Sequence, residues 1–211
     1  MKVVQKTIIT LFAILMLAAS QAFATDGNSI LLDEWNIDTA HSNINFTITH
    51  FFTPVDGSFE EYSSEINFDP SDLENSNIDV TIPVSSINTK NERRDNHLKS
   101  EDFFNASEWP NIQFESNEIE QTGDNQFVAH GELTIRDVTR EFELPFELLG
   151  VMDHPMQEGK KVAGITASAQ LNRTDFGVGV GDWAATAVVG DEVNIQLNLE
   201  LTAPRDDMTS N

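Results

Sequence analysis

The 211-residue sequence predicts an all-β protein: an eight-stranded antiparallel β-barrel with a short helical excursion between two strands. Three observations predict it. Apolar residues recur at every second position in about eight separate runs, which places them on one face of a strand. Clusters of turn-forming residues separate the runs. One stretch, residues 85–110, lacks the alternation.

The first run is Ile44, Phe46, Ile48 and His50, with Asn43, Asn45, Thr47 and Thr49 on the opposite face. Ile66 and Phe68 follow, then Ile78, Val80, Ile82 and Val84, then Ile112 and Phe114. The rhythm continues at Phe127, Ala129, Gly131, Leu133 and Ile135, and again at Phe142, Leu144, Phe146 and Leu148. Ala163, Ile165, Ala167, Ala169 and Leu171 form the seventh run, and Val193, Ile195, Leu197, Leu199 and Leu201 the eighth. Turns are expected at Pro54 to Gly57, Asp69 to Asn77, Gly123 to Asn125 and Asp153 to Gly159. Strands with one apolar face and short connections gain by curling into a closed sheet, because closure removes the unpaired edges. An eight-stranded barrel is filled by its own side chains or holds one elongated ligand. The small inward residues Ala129, Gly131, Ala163, Ala167 and Ala169 either leave space or make room for a neighbouring ring. A β-sandwich fits the same periodicity.

The excursion from Ser85 to Pro110 offers short helical pieces, with Asn88 or Thr89 as a cap and Glu101 and Asp102 after Ser100 as acids at a helix start. A connection of this length in a compact barrel is usually a functional cover. It also gathers Lys90, Arg93, Arg94 and Lys99, a positive spot on a chain of net charge -23. Such a spot suits a phosphate, pyrophosphate or carboxylate head. The bland alternative is that Arg94 and Asp95 pair with neighbours and pin the excursion.

The charge argues against nucleic acid, which demands a Lys/Arg-rich face. There is no cysteine, so thiolate chemistry and disulfides are excluded. Residues 1–24 read as a secretory signal: Lys2 and Lys6 precede an apolar run from Ile8 to Ala19, and Ala22-Phe23-Ala24 supplies a cleavage site. The run of about 12 apolar residues is short of the roughly 20 a bilayer span needs. The expected layout is therefore a signal over 1–24, a domain over 25–203 and a polar tail over 204–211, with export to a bacterial periplasm and no stable membrane insertion. The sequence leaves a homodimer open.

His41, His50, His97, His130 and His154 show no metal-ligand spacing and read as structural or cavity-lining. A catalytic alternative has His41, His50 or His97 act with a carboxylate such as Asp95. Phe176 to Gly181, with three glycines, is no phosphate-binding fingerprint and reads as a turn before Trp183.

Taken in order, Trp35-Asn-Ile-Asp38-Thr-Ala-His41-Ser42, Gly57-Ser-Phe59, Ser86-Ile-Asn88-Thr89 and Arg94-Asp95-Asn-His97-Leu98-Lys99-Ser100-Glu-Asp102-Phe103-Phe104 form a series. Pro110-Asn-Ile-Gln-Phe114, Gly131-Glu-Leu133-Thr134, Leu144-Pro145 and Asn172-Arg173-Thr-Asp175-Phe176-Gly177 continue it. The series resembles the YceI-like family of polyisoprenoid-binding periplasmic proteins. The resemblance implies a lipocalin-like barrel that stores an isoprenoid lipid, a polyprenyl phosphate or an isoprenoid quinone, without catalysis and without a cofactor or metal beyond that ligand. The residues expected to hold the ligand are Phe46, His50, Phe59, Arg94, His97, Lys99, Phe103, Phe104, Phe114 and Trp183, with Arg94 or Lys99 nearest an anionic head and Phe103 or Phe104 nearest the tail. A ligand-free structural or stress-response barrel is the other alternative.

Overall fold

A computed structural model describes residues 34–184 and 188–205. The predicted signal and residues 206–211 of the predicted tail lie outside the described residues. Among those described there are eleven strand segments. They are β1 (Glu34–Ile37), β2 (Asn43–His50), β3 (Thr53–Phe59), β4 (Ser63–Asn67), β5 (Asn77–Pro83), β6 (Ile87–Asn88), β7 (Asn111–Gly123), β8 (Gln126–Ile135), β9 (Val138–Asp153), β10 (Lys160–Asn172) and β11 (Val189–Pro204). Helix α1 (Glu92–Leu98) lies in the excursion.

Eleven segments make an eight-position barrel because the first three positions are each broken once. β1 pairs with β4 while β2 pairs with β3, and β4 pairs with β5 while β3 pairs with β6. β11 meets β2 along its first part and β1 at Leu201 and Thr202, closing the ring. All pairings are antiparallel, as consecutive hairpins dictate. At the β1/β2 break, Ala40 N–H donates to Asp38 Oδ1 (2.9 Å), and Ser42 Oγ both accepts from Glu200 N and donates to Glu200 O. A hydroxyl thus replaces the missing ladder bonds of β11, so its backbone is not left unpaired.

Two expected boundaries shift. Pro54 to Gly57 lies inside β3, and the tight turn is Phe51-Phe52, with Phe51 at φ 53°. Pro54 is tolerated because β3 pairs with β6 only at Ser58 and Phe59, leaving its upper part an edge. Gly57 is required by packing: a Cβ there would lie 2.2 Å from Phe46 Cζ. The excursion begins after β6, and α1 is capped by Asn91, whose Oδ1 accepts from Arg94 N (3.1 Å), instead of by Asn88 or Thr89.

Packing differs between the two ends of the barrel. At the end where β1 starts, Phe68, Phe127 and Phe146 form an aromatic floor with centroids 5.2–5.4 Å apart, and Trp35 Nε1 donates to Phe68 O. Ala129 and Ala163 are buried, so at these two positions the small side chains leave no open space. On β11, Leu201 and Ala203 are buried at this end. Further up the strand Val193, Ile195, Leu197 and Leu199 face inward yet stay only half-buried.

Outside, the register aligns Glu65, Asp79, Glu115, Glu132 and Glu141 in one row across five adjacent strands. Like charges directly opposite are destabilising. Glu132→Lys in the middle of the row is therefore expected to stabilise the barrel by about 1 kcal/mol in urea unfolding at low salt, with the gain shrinking toward 1 M NaCl.

Candidate ligand cavity

The half-buried inner row of β11 faces a cavity of about 820 Å³, within the roughly 300–1,000 Å³ range of ligand sites. Its lower wall is Ile66, Phe68 and Phe146; its upper end reaches His50, Val55, Arg93 and Val189. Of the residues expected to hold a ligand, Phe46, His50, Phe59, Arg94, His97, Phe103, Phe104, Phe114 and Trp183 line this space. Lys99 does not; it borders a shallow depression outside, with Glu60 and Glu61. Lining residues outside that expected set include Arg93, Arg173, Phe142 and the β11 row.

The excursion roofs the cavity. Asp95 Oδ1 accepts from Thr89 N (2.9 Å) and from the Thr89 hydroxyl, while Arg94 donates to Thr89 Oγ1 (2.7 Å) and Thr89 O (2.6 Å). Arg94 therefore pins the loop, as the bland reading has it, and lines the cavity as well. Neither Arg93 nor Arg94 has a carboxylate within ion-pair distance among the described residues. His97 Nε2 lies 2.9 Å from Asp102, and its ring sits 5.0 Å from Phe103 and 4.8 Å from Trp183. Arg136 Nη1 donates to the carbonyls of Phe103 and Gly177, joining the excursion to the loop after β10.

That loop is organised by Arg173, which is 4% exposed. Its Nε donates to Gly190 O (2.8 Å), Nη1 to Val178 O and Gly179 O, and Nη2 to Trp183 O (2.9 Å) and Val189 O (3.1 Å). All five N–H groups of the guanidinium are used. Gly179, at φ 63°, brings its carbonyl round to the cradle; a Cβ there would lie 2.6 Å from Arg173 Nη1. Burial pushes the guanidinium pKa down from its ordinary value, while nearby Asp191 pushes it up. The glycine-rich segment is the turn expected before Trp183, and it is built around one cation.

The three histidines of the catalytic alternative are not assembled. His41 sits at the β1/β2 break, 3.0 Å from Asp38, while His50 is nine residues further along at the other end of β2, roughly 30 Å for extended chain. Asp95 faces Thr89 and no histidine. The hydrogen bond that the His41 ring N–H donates to the Asp38 carboxylate holds His41 above its ordinary 6.5, helped by the charges of Asp38 and Glu200. The same bond, with that from Ala40 N–H, holds the Asp38 carboxyl below 3.8. The Asp38 contribution is present above its unfolded value and lost as pH falls through the lowered one. The His41 contribution is full below 6.5 and lost as pH rises through the raised one, so the pair acts in the window between. NMR titration should place the His41 ring midpoint above 6.5, and Asp38→Asn should bring it down.

Residues 35–201 match the YceI-like domain family. A UPF0312 protein of Staphylococcus aureus strain N315 is 34% identical over 174 residues, covering 81% of this chain and 98% of that one. The crystal structure of the Campylobacter jejuni YCEI protein is 33% identical with TM-score 0.64, covering 81% of this chain and 97% of that one. BcnA of Burkholderia cenocepacia, 25% identical, superposes with TM-score 0.70 over 80% of this chain and 99% of that one. A polyisoprenoid binding domain from Saccharophagus degradans shares the fold at 12% identity, TM-score 0.61, covering 82% of this chain and 99% of that one.

Proposed function

The chain belongs to the YceI-like domain family, and we propose that it is a periplasmic carrier or sequestering protein that holds an isoprenoid lipid, a polyprenyl phosphate or an isoprenoid quinone, in the upper half of its barrel. The observation that carries this reading is the inner row Val193, Ile195, Leu197 and Leu199, inward-facing yet half-buried around a cavity of about 820 Å³. Aliphatic side chains left facing a void are a site for apolar ligand atoms. A polyisoprenoid-binding domain on the same fold supports the ligand class. The leader-like residues 1–24 support export.

Tail outranks head in this site. Each buried CH2 contributes roughly 0.8 kcal/mol, so a few isoprene units exceed the 0 to 1 kcal/mol of a solvent-exposed ion pair. Arg93 and Arg94 at the upper end, with no carboxylate at ion-pair distance among the described residues, favour an anionic head over a neutral one. The test is native mass spectrometry and organic extraction of protein purified from its own compartment. The expected result is a bound apolar mass; no lipid on the protein, together with no uptake of added polyprenyl phosphate or quinone, would sink the reading.

A further inference from the structure

In a closed barrel each strand pairs with both neighbours, and β9 and β10 depart from this. They pair from Asp153 and Lys161 up to Phe146 and Ala167, and there the ladder stops. β9 nevertheless continues back to Val138, paired with β8 as far as Ile135, and β10 continues to Asn172, paired with β11 without interruption. The stop has a cause in the sequence. The next position on β9 is Pro145, which has no N–H to donate and is disfavoured inside a sheet.

Above Pro145 the two strands border a slit. Phe142 and Leu144 on one side and Leu171 on the other are half-buried, and all three line the cavity. At the top of the slit the connection is made by a side chain: Arg140 Nε donates to Asp175 O (2.9 Å), and Arg140 is exposed. The roof is fastened very differently, by the five-bond cradle of Arg173, the two carbonyls on Arg136 and the ring cluster of His97, Phe103 and Trp183. This side wall is thus less fastened than the roof: above Pro145 no ladder joins β9 to β10, just as none joins the upper part of β3 to β6, and here a single exposed side chain makes the link.

We propose that the slit between β9 and β10 is a lateral door through which the apolar chain of the ligand passes, with Pro145 marking its lower end and Arg140 acting as its latch. The inference rests on the carrier reading and adds the route. A long chain that slides in sideways leaves a lipid phase along its whole length, whereas entry at the upper end, bordered by the exposed His50 and Arg93, would thread it end first.

The chain has no cysteine, so the door can be stapled cleanly. Glu143 and Gln170 point outward and would face each other if the Phe146/Ala167 register continued. In the Glu143→Cys/Gln170→Cys protein, a reductant-cleavable bis-thiosulfonate linker would hold the slit shut. The probe is a dansyl-labelled C15 prenyl phosphate presented in phosphatidylcholine vesicles. The expected result is uptake at least tenfold slower when linked, restored by reductant, with the amount bound at equilibrium unchanged. Arg140→Ala should speed uptake about twofold to fivefold. Equal rates in the linked and reduced protein would overturn the door. If the unmodified protein takes up no probe, the carrier reading fails and the door falls with it.

Discussion

Replacing Arg173 with Met is expected to destabilise the protein by about 3–5 kcal/mol and to release the loop that closes the barrel's upper end. The side chains are similar in length, so the apolar stem stays packed, and what is removed is the donor set. Five carbonyls, those of Val178, Gly179, Trp183, Val189 and Gly190, lose their partner together. Each buried acceptor left unpaired costs about 1–3 kcal/mol, and water reaching the relaxed loop recovers part of the sum. Arg173→Lys keeps the charge but offers three donors from a single nitrogen, so it should recover less than half of the loss. Urea unfolding measures the loss directly. Hydrogen exchange tells where it falls: protection should drop at Gly190 and its neighbours and persist at Phe127 in the floor. A change below 1 kcal/mol would show that the carbonyls satisfy one another or water without the guanidinium.

The barrel was legible in the sequence because its signal is local. Period-two runs at 127–135, 142–148, 163–171 and 193–201 coincide with β8, β9, β10 and β11. What misled was Pro54 with Gly57, read as a turn. Both are strand residues for tertiary reasons: one lies on an unpaired edge, and the other makes room for the Phe46 ring. The cavity walls were largely legible from the aromatic series, since Phe46, Phe59, Phe103, Phe104 and Phe114 all line the space. Arg173 stands in the Asn172 to Gly177 motif with nothing local to mark its role. An isolated arginine between a strand and a glycine-rich turn carries no local sign of where five carbonyls converge. Lys99 was expected toward the head, yet α1 turns it to the outer depression, because residues 94 and 99 fall on different faces of so short a helix and the turn that follows it. Pro145 was readable as an anomaly inside a strand. Its consequence, a ladder that ends, depends on which neighbour would have received the missing N–H.

Filling the hollow should separate ligand binding from folding. Ile195 lies on β11 opposite Phe46 on β2 and Ala169 on β10, half-buried and facing the cavity. Ile195→Trp directs an indole into open volume, so the strand keeps its register and no packed neighbour is displaced. Burying more of an aromatic side chain there is favourable at roughly 25 cal/mol per Å², and stability should stay level or rise slightly. The ligand pays instead, because the carbons that would have occupied that stretch of the cavity have no room. Excluding four or more CH2 groups forfeits roughly 3 kcal/mol, on the order of a hundredfold in affinity. Arg94→Ala, by contrast, removes a partly exposed charge from the upper end and should cost tenfold or less. Phe104→Asp should fall nearer to Ile195→Trp, because it both removes apolar wall and lines the cavity with a carboxylate that must stay solvated. Titration of each variant with a polyprenyl phosphate, alongside urea unfolding, gives the ranking. If Ile195→Trp binds as the unaltered protein does, the ligand does not lie in the barrel; if Arg94→Ala loses as much as Phe104→Asp, the head governs affinity and the tail only follows.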